Sequence, residues 1–188
     1  MPSQSFSFTA ADSALLVIDM QERFQSIIPS IAADRPVGRN NRILIESARI
    51  VGVPTLTSEQ YPKGLGPTLP FLNEALAGQP RLAKTHFSCC DDAALAAKID
   101  SMQRQCWVVC GIETHVCVLA TVADLLQRGR TVVIAGDAVD SRREDCRTIA
   151  LQAARDLGAL IAPTESIVFR WLRNAQGDTF KRISAFVR

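Results

Sequence analysis

Short, almost uninterrupted apolar runs recur along the chain: "ALLVIDM" (Ala14–Met20), "CWVVCGI" (Cys106–Ile112) and "TVVIAGDAV" (Thr131–Val139). A strand wetted on one face alternates apolar and polar residues. A strand buried on both faces has no such alternation and reads as these runs do. Two more runs, "VPTLTS" (Val53–Ser58) and "ALIAP" (Ala159–Pro163), have similar character, and "RLAKTHF" (Arg81–Phe87) reads as a brief strand. Helical stretches separate them. Near Arg39–Val51, the residues Val37, Leu44, Ala48 and Val51 share a face, and Gly52 stops the helix. "FLNEALAG" reads as a short helix, and "DDAALAAKIDSMQ" as a helix with acidic residues in its first turn. "VCVLATVADLLQRG" is a helix closed by Gly129, and in the helix "SRREDCRTIALQAARDLG" Ser141 and Glu144 have capping-box spacing. Such alternation predicts an α/β fold: a parallel sheet of about six strands with helices on both faces.

The bulk properties narrow the function classes. With 188 residues, 47% hydrophobic and 21% charged, the chain is expected to form one domain spanning residues 1–188, able to bury a core without a disulfide or a metal. The net charge of +2, with Lys and Arg scattered, argues against nucleic acid as a partner. No window of about 18 apolar residues occurs, so no membrane span is expected. The N-terminal residues "MPSQSFSFTAADS" do not resemble a signal peptide, so the six cysteines read as reduced thiols in a cytoplasmic protein.

In open parallel sheets, ligands lie outside the carboxyl ends of the strands. Three polar groups fall there or one turn beyond: Asp19, Lys84 and Cys117. Taken singly, they read as a turn carboxylate, a surface lysine and a packed thiol. Taken together, they make chemical sense. With Thr114 as N-cap, Cys117 lies in the first turn of its helix, where free N–H groups and the helix dipole favour a thiolate. A nearby Lys84 ammonium favours it further. Asp19 can take the thiol proton and hand it to a leaving amine, and the N–H groups near Glu113 and Cys117 can hold an oxyanion.

The segments "VIDMQ", "KTHFS" and "GIETHVC" occur in that order at suitable separations. With them, the chain resembles the isochorismatase-like cysteine hydrolase superfamily. The loop "TSEQYPKGLGPT" resembles the isochorismatase domain-containing subgroup, mostly proteins of unassigned substrate. The resemblance runs over nearly the whole chain. It implies a Rossmann-like three-layer fold and a catalytic triad falling on Asp19, Lys84 and Cys117. It also implies a cis peptide between Ile112 and Glu113, with the backbone N–H groups of Glu113 and Cys117 as the oxyanion hole. Members that cleave the vinyl ether of isochorismate tend to lack the cysteine, so Cys117 disfavours that substrate. Nicotinamidases carry an Asp-x-His metal site after the second strand. Here that region reads "SEQYPKGLG", and the chain's two histidines, His86 and His115, lie elsewhere. The implied activity is metal-free and cofactor-free hydrolysis of an amide-like C–N bond in a small molecule through an acyl-cysteine. The alternative is a non-catalytic binding or scaffold protein that retains the pocket.

Other residues admit two readings. Tyr61 and Pro62 wall a pocket mouth in the loop after the second strand. Phe24 and Phe87 either wall the pocket or pack in the core, and His115 either touches substrate or faces solvent. Cys89–Cys90 and Cys106/Cys110 lack zinc-knuckle or redox spacing and read as packed thiols. The apolar tail of Phe169, Trp171, Leu172, Phe180, Ile183 and Phe186 either docks on its own sheet or covers a neighbouring subunit; oligomers are common in the family, so a homo-oligomer is expected.

Overall fold

Strands β1 (Ser13–Ile18), β2 (Thr55–Gln60), β3 (Arg81–Lys84), β4 (Cys106–Ile112), β5 (Thr131–Asp140) and β6 (Leu160–Ala162) carry the apolar runs. In the computed structural model, which describes residues 6–187, they form one parallel sheet in the order β3-β2-β1-β4-β5-β6. The helices are α1 (Pro36–Val51), the single turn α2 (Pro62–Leu65), α3 (Ala93–Ser101), α4 (Leu119–Gln127), α5 (Glu144–Asp156), α6 (Thr164–Leu172) and α7 (Gly177–Val187). The chain is an α/β protein, and the strand order reverses direction between β1 and β4. A crevice opens at such a switch point, at the carboxyl ends of the two strands.

The two-residue period of the strands divides the core. Leu15 and Val17 of β1 and Val108 and Cys110 of β4 face a cluster with Leu44 and Ala48 of α1, Ile167 and Trp171 of α6 and Ile183 of α7. Their neighbours Leu16, Ile18, Trp107 and Val109 face the opposite cluster, with Leu95 and Ile99 of α3, Val122 and Leu125 of α4 and Ala154 of α5. Each fully buried large side chain contributes about 1.5–3 kcal/mol. Both faces of the central strands are therefore dry, as their unbroken apolar runs require. Among the described residues no helix is long and apolar enough to cross a membrane.

Several element ends differ from expectation. Helix α1 starts at Pro36, earlier than expected, because a proline at the first helical position lacks only an N–H that would have no partner. The short helix expected at "FLNEALAG" is a 3-10 turn, Pro70–Leu72, followed by hydrogen-bonded turns. Ser141 does not cap α5. That helix begins at Glu144, with Arg143 in the cap position and Glu144 and Asp145 supporting the positive helix end. The third strand stops at Lys84, short of Phe87, because β3 is an edge strand paired only with β2. The freed residues 85–87 bend back over the strand end. The apolar tail docks on its own chain: Trp171 and Ile183 are buried, and the Trp171 Nε1–H donates to Ser13 Oγ at 3.1 Å.

A register shift between Val109 and Gly111 on β4 lets β5 bulge, and α1 supplies the missing partners. Asn41 Nδ2 donates to the carbonyl of Ala138 and Asn40 Nδ2 to that of Asp137, each at 2.8 Å. Beyond the bulge, residues 140–142 run alongside the end of β4.

Candidate active site

Asp19 is the first residue beyond β1. Its φ of 51° is left-handed, a conformation aspartate tolerates better than most side chains. Its N–H donates to the Ser58 carbonyl at 3.2 Å, and its carbonyl accepts from Gln21 N–H at 2.8 Å. Across the crevice, Gly111 has φ 108°, and a Cβ there would fall 2.0 Å from the Ile18 carbonyl oxygen. Only glycine lets β4 run so close to the end of β1.

The Asp19 carboxylate is held on both oxygens. Lys84 Nζ donates to Oδ2 at 2.8 Å, and Ser58 Oγ–H donates to Oδ1 at 2.6 Å. The side chains of Lys84 and Asp19 are sealed from solvent. The ammonium also donates to Gln60 Oε1 at 2.6 Å and to the bent-back carbonyls of Phe87 at 3.2 Å and His86 at 3.3 Å. Gln60 is fixed in turn by the buried Gln21, whose Oε1 accepts from Gln60 N–H at 2.8 Å. Gln21 Nε2 donates to the carbonyls of Gln60 and Gly66, at 3.0 and 2.7 Å. Burial opposes the Lys84 charge, but the Asp19 carboxylate foremost outweighs it and holds the ammonium above its ordinary value.

Cys117 lies in a π turn, Thr114–Val118, that leads into α4. Val118 N–H reaches back to the Glu113 carbonyl at 3.2 Å, five residues away, which widens the first turn. Thr114 does not cap this helix. Glu113 occupies the cap position, and the Thr114 hydroxyl is buried without a hydrogen-bond partner. The Cys117 thiol feels the charges of both Asp19 and Lys84 and is only 6% exposed. The thiolate expected from the sequence is not the resting form favoured here. Burial, then the Asp19 carboxylate, push the thiol well above its ordinary value, and Lys84 opposes them only in part. The low-dielectric surroundings outweigh the helix terminus and the ammonium.

The Ile112–Glu113 peptide is cis. The buried Glu113 carboxylate accepts from Arg142 at three donors: N–H at 2.9 Å, Nε–H at 3.0 Å and Nη2–H at 2.6 Å. Burial works against this carboxylate, yet the Arg142 hydrogen bonds hold it below its usual range. His115 Nδ1 lies 3.0 Å from Ser141 Oγ, a second link between the same two segments.

A buried carboxylate–ammonium pair thus stands near a thiol at the switch point of a parallel sheet. Residues 13–166 match the family model described as Isochorismatase domain. The chain belongs to the isochorismatase family. Mouse isochorismatase domain-containing protein 2A is 38% identical over 177 residues, covering 94% of this chain and 82% of that protein. A Caenorhabditis elegans structure described as MAR1 ribonuclease has a TM-score of 0.86 at 36% identity, covering 96% of this chain and 91% of that one. The Escherichia coli YcaC product, described as an octameric hydrolase of unknown specificity, has a TM-score of 0.90 at 20% identity, covering 97% of this chain and 91% of that one, which speaks for the fold. Isochorismatase-family membership supports a hydrolase-like function.

Around this isochorismatase-family centre, the other candidate residues scatter. Tyr61, 53% exposed, lines a cavity of about 330 Å³ with Pro62, Lys63, Ala83, Lys84, Thr85 and Asp92. Phe87 is 62% exposed beside the Lys84 cage, and His115 is half-buried against Ser141. Phe24 packs against the core cluster on the α1 side. A larger hollow of about 520 Å³, lined by Glu22, Gln25, Ser26, Leu69 and Pro70, includes none of Asp19, Lys84 and Cys117. Among the described residues no group of three or more His, Cys, Asp and Glu could hold a metal ion. Sequence reasoning missed Ser58, Gln60, Gln21 and Arg142. For the first two a signal existed: polar residues two apart at the carboxyl end of an interior strand project to one face.

Proposed function

We propose that the protein hydrolyses an amide-like C–N bond of a small molecule, with Cys117 as nucleophile and Asp19 and Lys84 as its partners. The observation that carries this reading is the buried Lys84–Asp19 pair, 2.8 Å apart, with the buried Cys117 thiol close enough to feel both charges. Because the thiol rests protonated, attack and proton transfer are coupled. As sulfur bonds to the substrate carbonyl carbon, its proton passes to Asp19 and the π electrons move onto oxygen, beside the N–H groups of Glu113 and Cys117. The carbonyl then re-forms, the C–N bond breaks, and Asp19 returns the proton to the leaving nitrogen. Water adds to the resulting thioester with Asp19 again as base, releasing the acid and restoring the thiol. Lys84 keeps its charge throughout, offsetting the negative charge that moves between sulfur and carboxylate.

The ribonuclease description of the worm relative does not extend to this chain in our reading. The net charge is +2, and near the centre Arg142 and Arg143 are already paired with Glu113 and Asp145. We read the protein as a homo-oligomer too, in line with YcaC; light scattering on the purified protein tests that separately. The deciding experiment is a panel of small amides, esters and single-stranded RNA, run on wild type and Cys117→Ala, with intact-mass detection of an acyl adduct. Amide turnover and an adduct in wild type, both lost in Cys117→Ala, are expected. Turnover that survives Cys117→Ala overturns the mechanism. A wild-type protein that turns over nothing and leaves Cys117 unmodified by iodoacetamide points to the binding or scaffold alternative.

A further inference from the structure

We propose that Ser58 is a positioning residue that sets where the proton rests between Asp19 and Cys117, an inference that builds on the thiol-hydrolysis reading above. Ser58 is wholly buried, and its hydroxyl donates to Asp19 Oδ1 at 2.6 Å, while Lys84 holds Oδ2 at 2.8 Å. Bulk solvent reaches none of the three side chains, so each donor stabilises the ionised carboxylate more than it would at a surface. A hydroxyl differs from an ammonium in one respect: it can turn and accept. Ser58 donates to the carboxylate before the thiol proton arrives and can accept from the carboxylic acid afterwards; the bond to the charged form is the stronger, so its net effect favours the carboxylate.

A second buried thiol lies near this hydroxyl. The Cys89 thiol interacts with Ser58, and burial pushes it up to about 12, so it stays S–H at neutral pH. It can then donate to Ser58 Oγ, which leaves the Ser58 proton for Asp19. Cys89 is itself fixed. Its N–H donates to Thr121 Oγ1 at 3.0 Å, and that hydroxyl donates to the Cys117 carbonyl at 2.7 Å. The chain from Cys89 to Ser58 to Asp19 thus starts and ends beside Cys117. The titratable groups facing Asp19 are Lys84 from β3, Cys117 from the π turn and Cys89 from the segment after β3.

Removing the hydroxyl has a signed consequence. In Ser58→Ala the carboxylate loses a donor that nothing replaces, so the carboxylic acid becomes the relatively better state. Proton transfer from Cys117 to Asp19 becomes easier, and return of that proton to a leaving amine becomes harder. Alkylation of Cys117 by iodoacetamide, followed by peptide mass mapping across pH 6–10, reads the first step without a substrate. We expect Ser58→Ala to alkylate about three- to tenfold faster than wild type at neutral pH, and Ser58→Thr to restore the wild-type profile. On any amide that the wild type turns over, Ser58→Ala should lose kcat with KM little changed. A role in packing alone predicts the reverse: a lower melting temperature with slower or unchanged alkylation, and either outcome overturns the proposal. If Ser58→Ala does not fold, Cys89→Ala tests the same link from its other end, with a smaller acceleration expected and an unchanged profile counting against it. Asp19→Asn separates the two levels. If that variant leaves the alkylation profile unchanged, the reading of Asp19 as proton acceptor fails; if it alters the profile and Ser58→Ala does not, only the role of Ser58 fails.

Discussion

Lys84 Nζ and Asp19 Oδ2 meet at 2.8 Å where solvent reaches neither side chain. Desolvating two charges costs several kcal/mol each, and their attraction returns that only when the remaining donors and acceptors are also satisfied. Here they are: the ammonium has Gln60 and two backbone carbonyls, and the carboxylate has Ser58. Such a pair is poorly explained as a source of stability, since apolar side chains would fill the space at no loss. On the proposed mechanism its value is a fixed positive and a fixed negative charge beside a thiol that exchanges a proton.

The pair should therefore behave non-additively. Lys84→Met leaves a buried carboxylate without its counter-charge and should destabilise the fold by about 3–5 kcal/mol. Adding Asp19→Asn, which suits the left-handed backbone at that position, removes the orphaned charge and should recover a good part of the loss. Urea unfolding of the two single variants and the double variant measures this. A double variant as unstable as the sum of the singles would show that the two charges are not coupled.

The approach of β4 to β1 makes a second prediction. Gly111→Ala places a Cβ 2.0 Å from the Ile18 carbonyl at a φ of 108°. Backbone has to move, at a cost of at least about 2 kcal/mol. Because Ile18 precedes Asp19, the shift should also uncouple Cys117 from the carboxylate. Urea midpoints report the first effect, and iodoacetamide labelling of Cys117 the second. A variant with wild-type stability would mean the strands have slack that the geometry denies.

What could be read from the residues follows a physical divide. The central strands were legible because burial on both faces removes alternation, and the meeting of Asp19, Lys84 and Cys117 was legible because all three fall at or just past strand ends. Electrostatics were not. The thiol's ordinary value is moved by how deeply Cys117 sits, which depends on packing between segments far apart in the chain, and burial reversed the sign expected from the helix end. Ser58 and Arg142 were missed for a related reason. Each acts through a contact of 39 or 29 residues' separation: Ser58 is marked only by its place near a strand end, which does not name its partner, and Arg142 carries no local mark at all. The cap positions failed locally: a π turn replaced the expected first turn at Thr114, and Ser141 turned to His115 instead of capping α5.

Glu113 and Arg142 supply an acid-side test. The Glu113 carboxyl is held below its ordinary 4.5, so the native state binds fewer protons there than the unfolded chain. Its stabilisation is complete above about pH 4.5 and is lost as pH falls through the lower native value. Arg142→Ala should cost about 1–2 kcal/mol at pH 7, a figure reduced because the Arg142 side chain is 55% exposed. The difference from wild type should shrink steadily below pH 4.5. Thermal melts of both proteins from pH 7 to pH 3 give the comparison, and a constant gap would mean that the pair is not what Arg142 contributes.

The alkaline side depends on sulfur. Burial pushes the Cys90 and Cys106 thiols up to about 11 and Cys89 to about 12, from 9.0, and moves Cys110 and Cys117 in the same direction. A raised thiol keeps its proton in the native state while the unfolded chain gives it up. The stabilisation is therefore intact below pH 9.0 and is lost as pH rises through the native values. Each such thiol contributes a slope of up to about 1.4 kcal/mol per pH unit. The Lys84 ammonium, also raised, acts with the same sign at higher pH. Urea unfolding at pH 8, 9, 10 and 10.5 under reducing conditions should show stability falling steeply above pH 9.0. Cys110→Ala separates titration from packing. The cavity it leaves lowers stability equally at every pH, whereas the lost thiol makes the alkaline slope shallower by one proton. If the variant and wild-type curves stay parallel up to pH 10.5, ionisation of the buried thiols is not what destabilises the protein in alkali.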